Sequence, residues 1–458
     1  MVKKAENILI NIVRVLDYLI FVLVVPFCVA GLVFAIPWIL KQRKIWNRSA
    51  KGSPKVLILR GFTLGKVQKK GFDHLLPYRN PYIKWIGFLD PSNDQKTEIK
   101  VADGLNIITF KSLRIIEFFE KKKIYVTSVI FRELIAIFRI TNYCVKEQIG
   151  ILRVYKHDYP ALQAYLVSSF IKIPFIVDII GNFELIRRLT GKVYYFRKLN
   201  SLPFIRIFAR PATNWLLGLP LRHATRVLGR DKCTYEHAFS LGTPVEKLSL
   251  LRISNFNTAF NAYNPEQPPD KPVNYPYFLF VGRLVEIKYP LDAIAAFDLV
   301  AAHLPEYRLV IIGDGGFRNV VKRKKEHSKY KDRIILLGAC SSHTVLNWTA
   351  HAKAAICPFS GSTLVEAVLC GLPVVAYDVA GHPEIVIDDY TGFLVPFANV
   401  EALAEKLIYV VRNYGEARIA AMRGRELARV TFDKEKIAEK ESMIYRQVLQ
   451  IPESEQYL

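Results

Sequence analysis

Residues 354–386 constrain the fold more than any other stretch, because they specify a complete strand–helix–strand step. An apolar run from Ala354 to Pro358 predicts a buried strand, and a second run from Val374 to Tyr377 predicts its neighbour. Between them the pattern predicts a helix from Leu364 to Cys370, which a glycine and a proline then terminate. A strand, a helix and a second strand in this order are typical of a parallel α/β sheet.

The loop that leads into this helix is built from small residues. Small side chains let a ligand approach the backbone closely, and the N–H groups at a helix N-terminus favour phosphate. Glu366 lies inside the helix, within reach of a group beyond the phosphate. An ordinary strand-to-helix turn with a serine or threonine cap has the same composition, so this stretch alone leaves both interpretations open. The candidate ligand-contacting residues here are Ser360, Gly361, Ser362, Thr363 and Leu364.

A second stretch, upstream of the first, favours the phosphate interpretation. Residues 277–287 predict a strand that ends in Gly282-Arg283, and Lys288 follows before the next helical pattern. Two cations at the carboxyl end of a buried strand suit a diphosphate, because arginine offers a planar fork and lysine a point charge. Either cation alone is more often a solvated loop charge. Together with the loop before Glu366, the pair predicts a diphosphate site.

These motifs resemble the signature of glycosyltransferase family 4. Members of that family have Gly-Arg-x4-Lys, a glycine-rich loop, a glutamate and Cys-Gly-x-Pro-Val-Val, and the resemblance covers residues 270–410. It implies the GT-B fold, in which two doubly wound Rossmann-like α/β domains face a cleft, and retaining transfer of a sugar from a nucleotide-sugar. The matching positions are Gly282, Arg283, Lys288, Gly361, Glu366, Cys370, Gly371, Pro373, Val374 and Val375.

The resemblance also implies roles for individual residues. Arg283 and Lys288 would hold the diphosphate, and Glu366 would bind the ribose hydroxyls of the donor. Gly313, in the turn Gly-Asp-Gly-Gly after one predicted strand, would lie on the nucleotide side, and so would Gly338 at the end of the next strand. We expect no metal and no other cofactor, because the two cations stabilise the charge that grows on the departing phosphate.

One position departs from the family pattern. The family has two glutamates, and Pro358 stands where the first of them is usual. That glutamate normally contacts the donor sugar, so Ser360 and Ser362 are the candidates to replace it. The departure motivates an alternative function, in which a catalytically impaired GT-B protein acts as a binding subunit or scaffold.

Residues 51–265 predict a first α/β domain, in which the resemblance is weaker. Ile180 stands where the family usually has a histidine. Asp158 follows a predicted strand, where it either orients or deprotonates an acceptor hydroxyl or caps the helix that begins near Ala161. The other acceptor-side candidates are Gly61, His74, His157 and Gly181. The predicted strands of this domain are 55–59, 106–109, 149–154, 174–180 and 226–229.

The remaining boundaries follow from composition. A proline-rich polar stretch from Asn264 to Tyr275 predicts the linker between domains. The second, nucleotide-sugar-binding domain is predicted for residues 270–432, and a final helix in residues 433–458 returns to the first domain in the family. Residues 1–50 are predicted to form a membrane-anchor segment.

The anchor prediction rests on residues 18–40, which contain no charged residue. A helix of this length spans roughly 35 Å, which exceeds a hydrocarbon core of roughly 30 Å. Pro26 and Pro37 leave open whether the segment spans the bilayer or re-enters it. More cations follow the segment than precede it, which predicts that the later domains lie on the cytoplasmic side.

The net charge of +23 falls entirely in residues 1–269, since the remaining residues carry equal numbers of acids and bases. Such asymmetry indicates an anionic partner. Nucleic acid is disfavoured because no zinc-finger, RNP or helix-turn-helix signature is present. An anionic membrane surface is the predicted partner, and the basic and aromatic residues 66–86 either enter lipid headgroups or cover a local core. The predicted function is therefore membrane-associated transfer of a sugar to a lipid-linked or glycan acceptor, in polysaccharide or glycolipid assembly.

Overall fold

The structure, a computed structural model, describes residues 35–49, 53–59, 85–93, 98–111, 125–192, 205–252 and 258–450. Contacts between Cα atoms divide the chain into two compact units. The first unit comprises residues 1–184, 192–251 and 438–458, and the second comprises residues 185–191 and 252–437. Each unit is built on its own sheet.

The first unit contains eight strands in one sheet, with helices between most of them. Buried aliphatic residues fill the central strands, as a sheet covered on both faces requires. The strands are β1 (Lys55–Leu59), β2 (Trp85–Asn93), β3 (Glu98–Ala102), β4 (Leu105–Lys111), β5 (Ile151–Tyr155), β6 (Phe175–Ile179), β7 (Arg226–Gly229) and β8 (Leu248–Leu250). The helices are α1 (Ile36–Ser49), α2 (Tyr125–Lys146), α3 (Tyr159–Ile171), α5 (Ile205–His223) and α6 (Lys232–Ser240), together with the start of α4 (Phe183–Thr190), whose residues from 185 onward belong to the second unit.

The sheet of the first unit has the order β3-β4-β2-β1-β5-β6-β7-β8. All neighbouring strands are parallel except β3 and β4, which form an antiparallel hairpin. The doubly wound parallel sheet expected for residues 51–265 is therefore parallel except at this edge. At the end of the stretch 66–86, Ile86 is a buried residue of β2, which agrees with the alternative of a local core at that position. The preceding residues 60–84 lie outside the described part of the chain.

The second unit is a six-stranded sheet in which every neighbouring pair is parallel, with the order β11-β10-β9-β12-β13-β14. Its strands are β9 (Tyr277–Val281), β10 (Arg308–Ile312), β11 (Ile334–Gly338), β12 (Ala354–Cys357), β13 (Val374–Tyr377) and β14 (Phe393–Val395). Its helices are α7 (Thr258–Ala262), α8 (Pro290–Val300), α9 (Arg318–Glu326), α10 (Ser342–His351), α11 (Ser362–Leu369), α12 (Val400–Arg412), α13 (Tyr414–Thr431) and, shared with the first unit, α14 (Lys434–Leu449).

Strand order fixes where a ligand can bind in each sheet. In an open parallel sheet, the crevice lies at the carboxyl ends of the two strands where the chain order reverses. In the second unit these neighbours are β9 and β12, and in the first unit they are β1 and β5. The loop after β9 and the loop after β12 therefore flank the switch point of the second unit. The loop after β5 lies at the switch point of the first.

Helix α1 packs against the first unit through one of its sides. Trp46 is buried, and its indole Nε1 donates to the carbonyl of Ile149 at 2.8 Å. The guanidinium of Arg43 donates to the carbonyls of Ser169 and Phe170. Residues 36–40, which the sequence assigned to the membrane segment, thus belong to a helix that continues to Ser49.

The rest of that predicted segment, residues 18–34, lies outside the described residues. Within the described part of the chain, no helix combines the length and the hydropathy that a bilayer span needs.

Candidate diphosphate site at the switch point of the second unit

The turn after β9 presents the two predicted cations. Gly282 follows the strand directly and donates its N–H to the carbonyl of Ile312 at 3.0 Å, which extends the parallel pairing by one residue. Arg283 is exposed, and Lys288 ends a short 3₁₀ turn, Glu286–Lys288, just before α8. The strand and this turn therefore hold both cations at one edge of the sheet.

The glycine after β10 is required by a close approach between two backbones. Gly313 has φ +146°, and a Cβ atom there would overlap the carbonyl oxygen of Gly282. Its N–H donates to the carbonyl of Gly338 at 2.7 Å. A Cβ atom at Gly338 would meet no heavy atom within 4 Å, so this glycine borders open space. The predicted glycines thus pack the strand ends together next to the two cations.

The electrostatic environment of Lys288 is unusual for a lysine. Burial is the main cause that lowers its pKa, the nearby charge of Arg283 lowers it further, and the result is about 8. The ammonium lies 5.4 Å from the centre of the Phe359 ring, in the loop after β12. In the part of the chain that the structure describes, neither Arg283 nor Lys288 has a carboxylate within ion-pair distance. Two cations at one strand edge, neither paired with a carboxylate of the described residues, make this edge a candidate site for an anion.

His382, which follows the neighbouring strand β13, holds the loop after β12 in place. This residue lies in the 3₁₀ turn His382–Glu384, is 2% exposed, and bonds with both ring nitrogens. Its Nδ1 lies 2.8 Å from the carbonyl of Tyr377, and the N–H of Ser360 donates to its Nε2 at 3.0 Å. The following residue, Gly361, is exposed and is the N-cap position of α11.

The structure separates the two serines that were candidates to replace the missing glutamate. The Ser360 hydroxyl hydrogen-bonds the buried thiol of Cys357 and so faces the interior. Burial, the larger cause, raises the pKa of that thiol to about 12. Ser362 is the first residue of α11, where helix N–H groups have no partner within the helix. Ser362 and Thr363 are therefore the serine and threonine that the loop offers to a ligand.

Glu366 lines a small pocket below the N-terminus of α11. Val281, Cys357 and Thr363 line the same pocket, so it opens between β9 and β12. Burial lowers the pKa of Lys434, and the carboxylate of Glu366 opposes that shift, which places the two charges near each other. Leu364, the other predicted residue of this helix, is fully buried and serves the core.

The second unit therefore brings most of the predicted donor-side residues to one edge of its sheet. Lys288 links the turn after β9 to the loop after β12, and Gly313 and Gly338 adjoin them. Two predicted residues, Leu364 and Ser360, face the interior instead.

Acceptor-side candidates of the first unit

His157 and Asp158 follow β5 at the switch point of the first unit. The ring of His157 is fully buried, stacks on Phe183 with centroids 4.5 Å apart, and places its Nε2 3.3 Å from Nε2 of His237. Burial and then His237 lower the pKa of His157 well below its usual value. Burial also lowers the pKa of His237 to about 4, although Glu184 opposes this. Both rings are therefore neutral at physiological pH.

Asp158 occupies the N-cap position of α3, but its side chain makes no capping hydrogen bond. Its Oδ1 and the Nδ1 of His157 are buried atoms that have no hydrogen-bond partner among the residues that the structure describes. Burial, the first cause, raises the pKa of Asp158, although Lys156 opposes the shift. The simple capping role is therefore wrong for this side chain. Two buried polar atoms at the strand edge are instead left for a polar group to contact.

The other acceptor-side candidates are less informative. Gly181 is half-buried in the loop after β6. Gly61 and His74 lie outside the described residues. The predictions for all four acceptor-side residues thus remain predictions about function.

Sequence reasoning missed two residues of these sites. His382 directly precedes Pro383 and Glu384 in the sequence, but only the fold shows that its ring reaches Ser360. His237 lies in helix α6, where Cys233 and Glu236 precede it without forming a known motif, so no motif marks it. A search for histidines within apolar runs would have selected neither.

Comparison with known proteins identifies the class of the second unit. Residues 264–427 match the family model described as "Glycosyl transferases group 1". Those residues therefore form a glycosyltransferase group 1 domain, a domain of sugar-transferring enzymes.

Two curated relatives illustrate the match. The chain is 32% identical over 160 residues to a D-inositol 3-phosphate glycosyltransferase of Xylanimonas cellulosilytica, which covers 33% of this chain and 37% of the relative. It is 28% identical over 209 residues to a putative colanic acid biosynthesis glycosyltransferase WcaL of Salmonella typhimurium, which covers 43% of this chain and 50% of the relative. The matches thus span half or less of these relatives' lengths.

A solved structure extends the likeness to both units at the level of the fold. The crystal structure of Anabaena Alr3699/HepE in complex with UDP superposes with a TM-score of 0.61 and 13% identity, covering 86% of this chain and all of the other. With two α/β units on largely parallel sheets, the chain has a GT-B-like glycosyltransferase fold.

Proposed function

We propose that the protein transfers a sugar from a nucleotide-sugar to a lipid-linked or glycan acceptor. The observation that carries the proposal is the convergence of Arg283, Lys288 and the N-terminus of α11 at the switch point of a glycosyltransferase group 1 domain. An anionic group at this point would meet two cations that have no carboxylate partner among the described residues. The diphosphate of a nucleotide-sugar has the charge and the size to bridge them.

The chemistry follows from where charge develops during the reaction. As the bond between the sugar and the diphosphate breaks, negative charge grows on the departing phosphate. Arg283 and Lys288 are already in position, so they stabilise that charge without reorganisation, and one such contact contributes about 3 kcal/mol. Glu366, in the adjoining pocket, binds the ribose hydroxyls on this proposal. The family resemblance supports retention of the anomeric configuration, with the acceptor attacking the same face of the sugar.

We also propose that the protein works on a membrane, with both units on the cytoplasmic side. The side of α1 away from Trp46 supports this, because it mixes apolar residues with cations. Ile36, Leu40 and Ile45 are 49%, 55% and 39% exposed. The cations that accompany them are Lys41, Lys44 and Arg48. Such a helix suits the interface of an anionic bilayer, where each cation contributes about 1 kcal/mol.

A transfer assay tests the catalytic proposal. The full chain is incubated with membranes as a source of acceptor and with UDP-, GDP- or ADP-sugars, and both transfer and donor hydrolysis are measured. We expect turnover of one donor class, loss of it in Glu366→Gln, and retention in Glu326→Gln, an exposed glutamate of helix α9. Nucleotide binding without any turnover would contradict catalysis and would leave the scaffold alternative.

A vesicle assay tests the membrane proposal separately. The charge-reversal variant Lys41→Glu, Lys44→Glu, Arg48→Glu is compared with the natural chain on neutral and on anionic vesicles. The natural chain should prefer anionic vesicles in a manner that salt weakens, and the variant should lose that preference. Equal preference in both proteins would contradict the role of α1.

A further inference from the structure

His382 lies where two neighbouring strands end, and it connects the loops that follow them. It comes after β13, and its ring reaches back to Ser360 in the loop after β12. These two residues are 22 positions apart in the sequence. The ring is 2% exposed, so its hydrogen bonds are shielded from water.

The hydrogen bonds define which form of the imidazole fits. A carbonyl can only accept, so the contact of 2.8 Å with Tyr377 requires a proton on Nδ1. A backbone N–H can only donate, so the contact of 3.0 Å from Ser360 requires a lone pair on Nε2. The neutral ring with the proton on Nδ1 satisfies both contacts. The opposite neutral tautomer loses both contacts, whereas a doubly protonated ring keeps the bond to Tyr377 and can donate from Nε2 to the carbonyl oxygen of Ser360, 3.2 Å away.

This arrangement fixes the direction of the loop. The N–H of Ser360 points to His382 and its hydroxyl points to Cys357, so the residue is anchored to the interior. The chain then turns outward at the exposed Gly361 and enters α11. The first N–H groups of that helix are consequently aimed at the strand edge rather than at His382.

The same anchor sets the position of Lys288. Phe359 precedes Ser360, and its ring centre lies 6.2 Å from that of His382. The ammonium of Lys288 lies 5.4 Å from the centre of the same phenyl ring. A shift of the loop therefore moves the aromatic surface against which the ammonium packs.

We propose that His382 is a positioning residue of the diphosphate site. It holds the loop from Phe359 to Gly361 so that the N–H groups of α11 and the ammonium of Lys288 converge on one anion. No contact with the ligand is needed for this role. The inference rests on the proposed function, because it assumes that the anion is the diphosphate of the donor.

The role of the neutral ring makes the site sensitive to acid. Protonation of Nε2 ends its bond with the N–H of Ser360 and replaces it with donation to the carbonyl of Ser360, now 3.2 Å away, which shifts the loop. The charged groups that face His382 are Lys288, which opposes protonation, and Asp378, which favours it. Burial is the larger influence and lowers the pKa of His382. Diphosphate binding should therefore persist at neutral pH and weaken as the pH falls below the pKa of this ring.

Three substitutions of His382 and one control test the role. Glutamine can place an acceptor oxygen near the position of Nε2, whereas asparagine can replace only the Nδ1 contact and alanine replaces neither. His351→Ala is the matched control, because that ring also bonds a backbone carbonyl of the second unit, that of Pro269, away from the loop. The probe is UDP, measured by calorimetry on the full chain between pH 5 and 8.

We expect His382→Ala and His382→Asn to bind UDP roughly tenfold more weakly, because a buried N–H loses its acceptor. His382→Gln should bind within a fewfold of the natural chain. The acid decline of binding should be absent in His382→Gln, while His351→Ala should bind normally. Binding by His382→Ala that equals the natural chain at every pH would overturn the proposal.

Amide hydrogen exchange gives a readout that does not depend on the nucleotide. The N–H of Ser360 should be protected in the natural chain and in His382→Gln, and it should exchange rapidly in His382→Ala. If no nucleotide binds the natural chain but this pattern is seen, the proposed function fails and the loop anchor stands. If Ser360 stays protected in His382→Ala, the anchor itself is wrong.

Discussion

The two units differ in how the cations of their strands and strand ends are paired. In the first unit, the guanidinium of Arg153 in β5 is almost fully buried and forks onto Asp178 in β6 at 2.7 and 3.0 Å. It also contacts Glu441 and donates to the hydroxyl of Tyr445 in α14 at 2.6 Å. In the second unit, Arg283 and Lys288 have no such carboxylate among the residues that the structure describes.

The difference separates charge that holds the fold together from charge that is available to a ligand. Burial alone would lower the pKa of Arg153, and its partners more than reverse this and raise it. Lys288 has no carboxylate partner among the described residues, and Cys357 offsets its burial only in part, so its pKa is about 8. A cation whose desolvation is not offset within the protein is typical of a functional site. Substitutions in the two units should therefore differ in whether they change stability or activity.

The largest expected effect is on stability, in the first unit. Arg153→Met leaves the carboxylate of Asp178 buried without its partner, so we expect a loss of about 3–5 kcal/mol in the free energy of unfolding. The control is Arg132→Met, a partly exposed arginine beside Glu133, which should lose about 1 kcal/mol or less. Urea unfolding followed by tryptophan fluorescence measures both. Equal losses of unfolding free energy in the two variants would contradict a special role of Arg153 in the stability of the first unit.

Removal of the second unit's cations should instead affect activity. Arg283→Ala and Lys288→Ala should each lower the rate of sugar transfer by about 10²–10³-fold, since each removes a charge that stabilises the departing phosphate. The free energy of unfolding should not fall, because neither cation pairs with a described carboxylate. Lys322→Ala, an exposed lysine of helix α9, should keep full activity. Full activity in both site variants would show that these cations do not act on the donor.

The lowered pKa of Lys288 predicts opposite pH dependences for binding and for stability. As pH rises through about 8, the ammonium is lost and UDP binding weakens, by up to about tenfold per pH unit. Over the same range the folded state binds fewer protons at this group than the unfolded state, so its contribution to stability increases. Lys288→Arg, which keeps its charge, should show neither trend. Calorimetry measures the dependence of UDP binding on pH, and urea unfolding measures that of stability, both between pH 7 and 10.

The smallest predicted effect concerns the acceptor-side candidates. Because the pKa of Asp158 is raised, the folded state keeps a proton on this carboxyl group at pH values where the unfolded state has lost it. The group therefore destabilises the protein as pH rises through its folded pKa. Asp158→Asn should therefore increase the free energy of unfolding by about 1 kcal/mol at pH 7 and much less near pH 4. Asp103→Asn, in an exposed turn, should be neutral.

The activity of the same variant shows whether that instability serves a function. If Asp158 orients the acceptor, Asp158→Asn should be more stable but slower in sugar transfer. A variant that is more stable and fully active would restrict Asp158 to a structural role.

The sequence predicted the parts of the fold that depend on local pattern. Strands at residues 55–59 and 226–229 and the start of the strand at Ala354 lie where their apolar runs predicted them. The two cations after β9 could be predicted as ligand-binding residues because arginine and lysine, which bind phosphate, stand there at the end of a strand. The antiparallel hairpin of β3 and β4 was missed although Asp103-Gly104 is a typical hairpin turn between short strands.

Contacts between distant residues could not be read in this way. Ser360 and His382 meet because β12 and β13 are neighbours, and His157 meets His237 across positions that are 80 apart. Whether a buried polar atom finds a partner also depends on tertiary packing, as the uncapped side chain of Asp158 shows. Composition could indicate a charge imbalance, but only the fold separates Arg153, which pairs with carboxylates, from Lys288, which has none among the described residues.

Recognition of a diphosphate by the second unit underlies the proposed function, and calorimetry can test it without an acceptor. UDP is compared with UMP, and GDP and ADP with their monophosphates, on the natural chain and on Lys288→Gln. We expect one diphosphate to bind at least tenfold more tightly than its monophosphate, and Lys288→Gln to remove most of this difference. Equal affinities for diphosphate and monophosphate in the natural chain, or a preference that Lys288→Gln leaves intact, would contradict diphosphate recognition at this site.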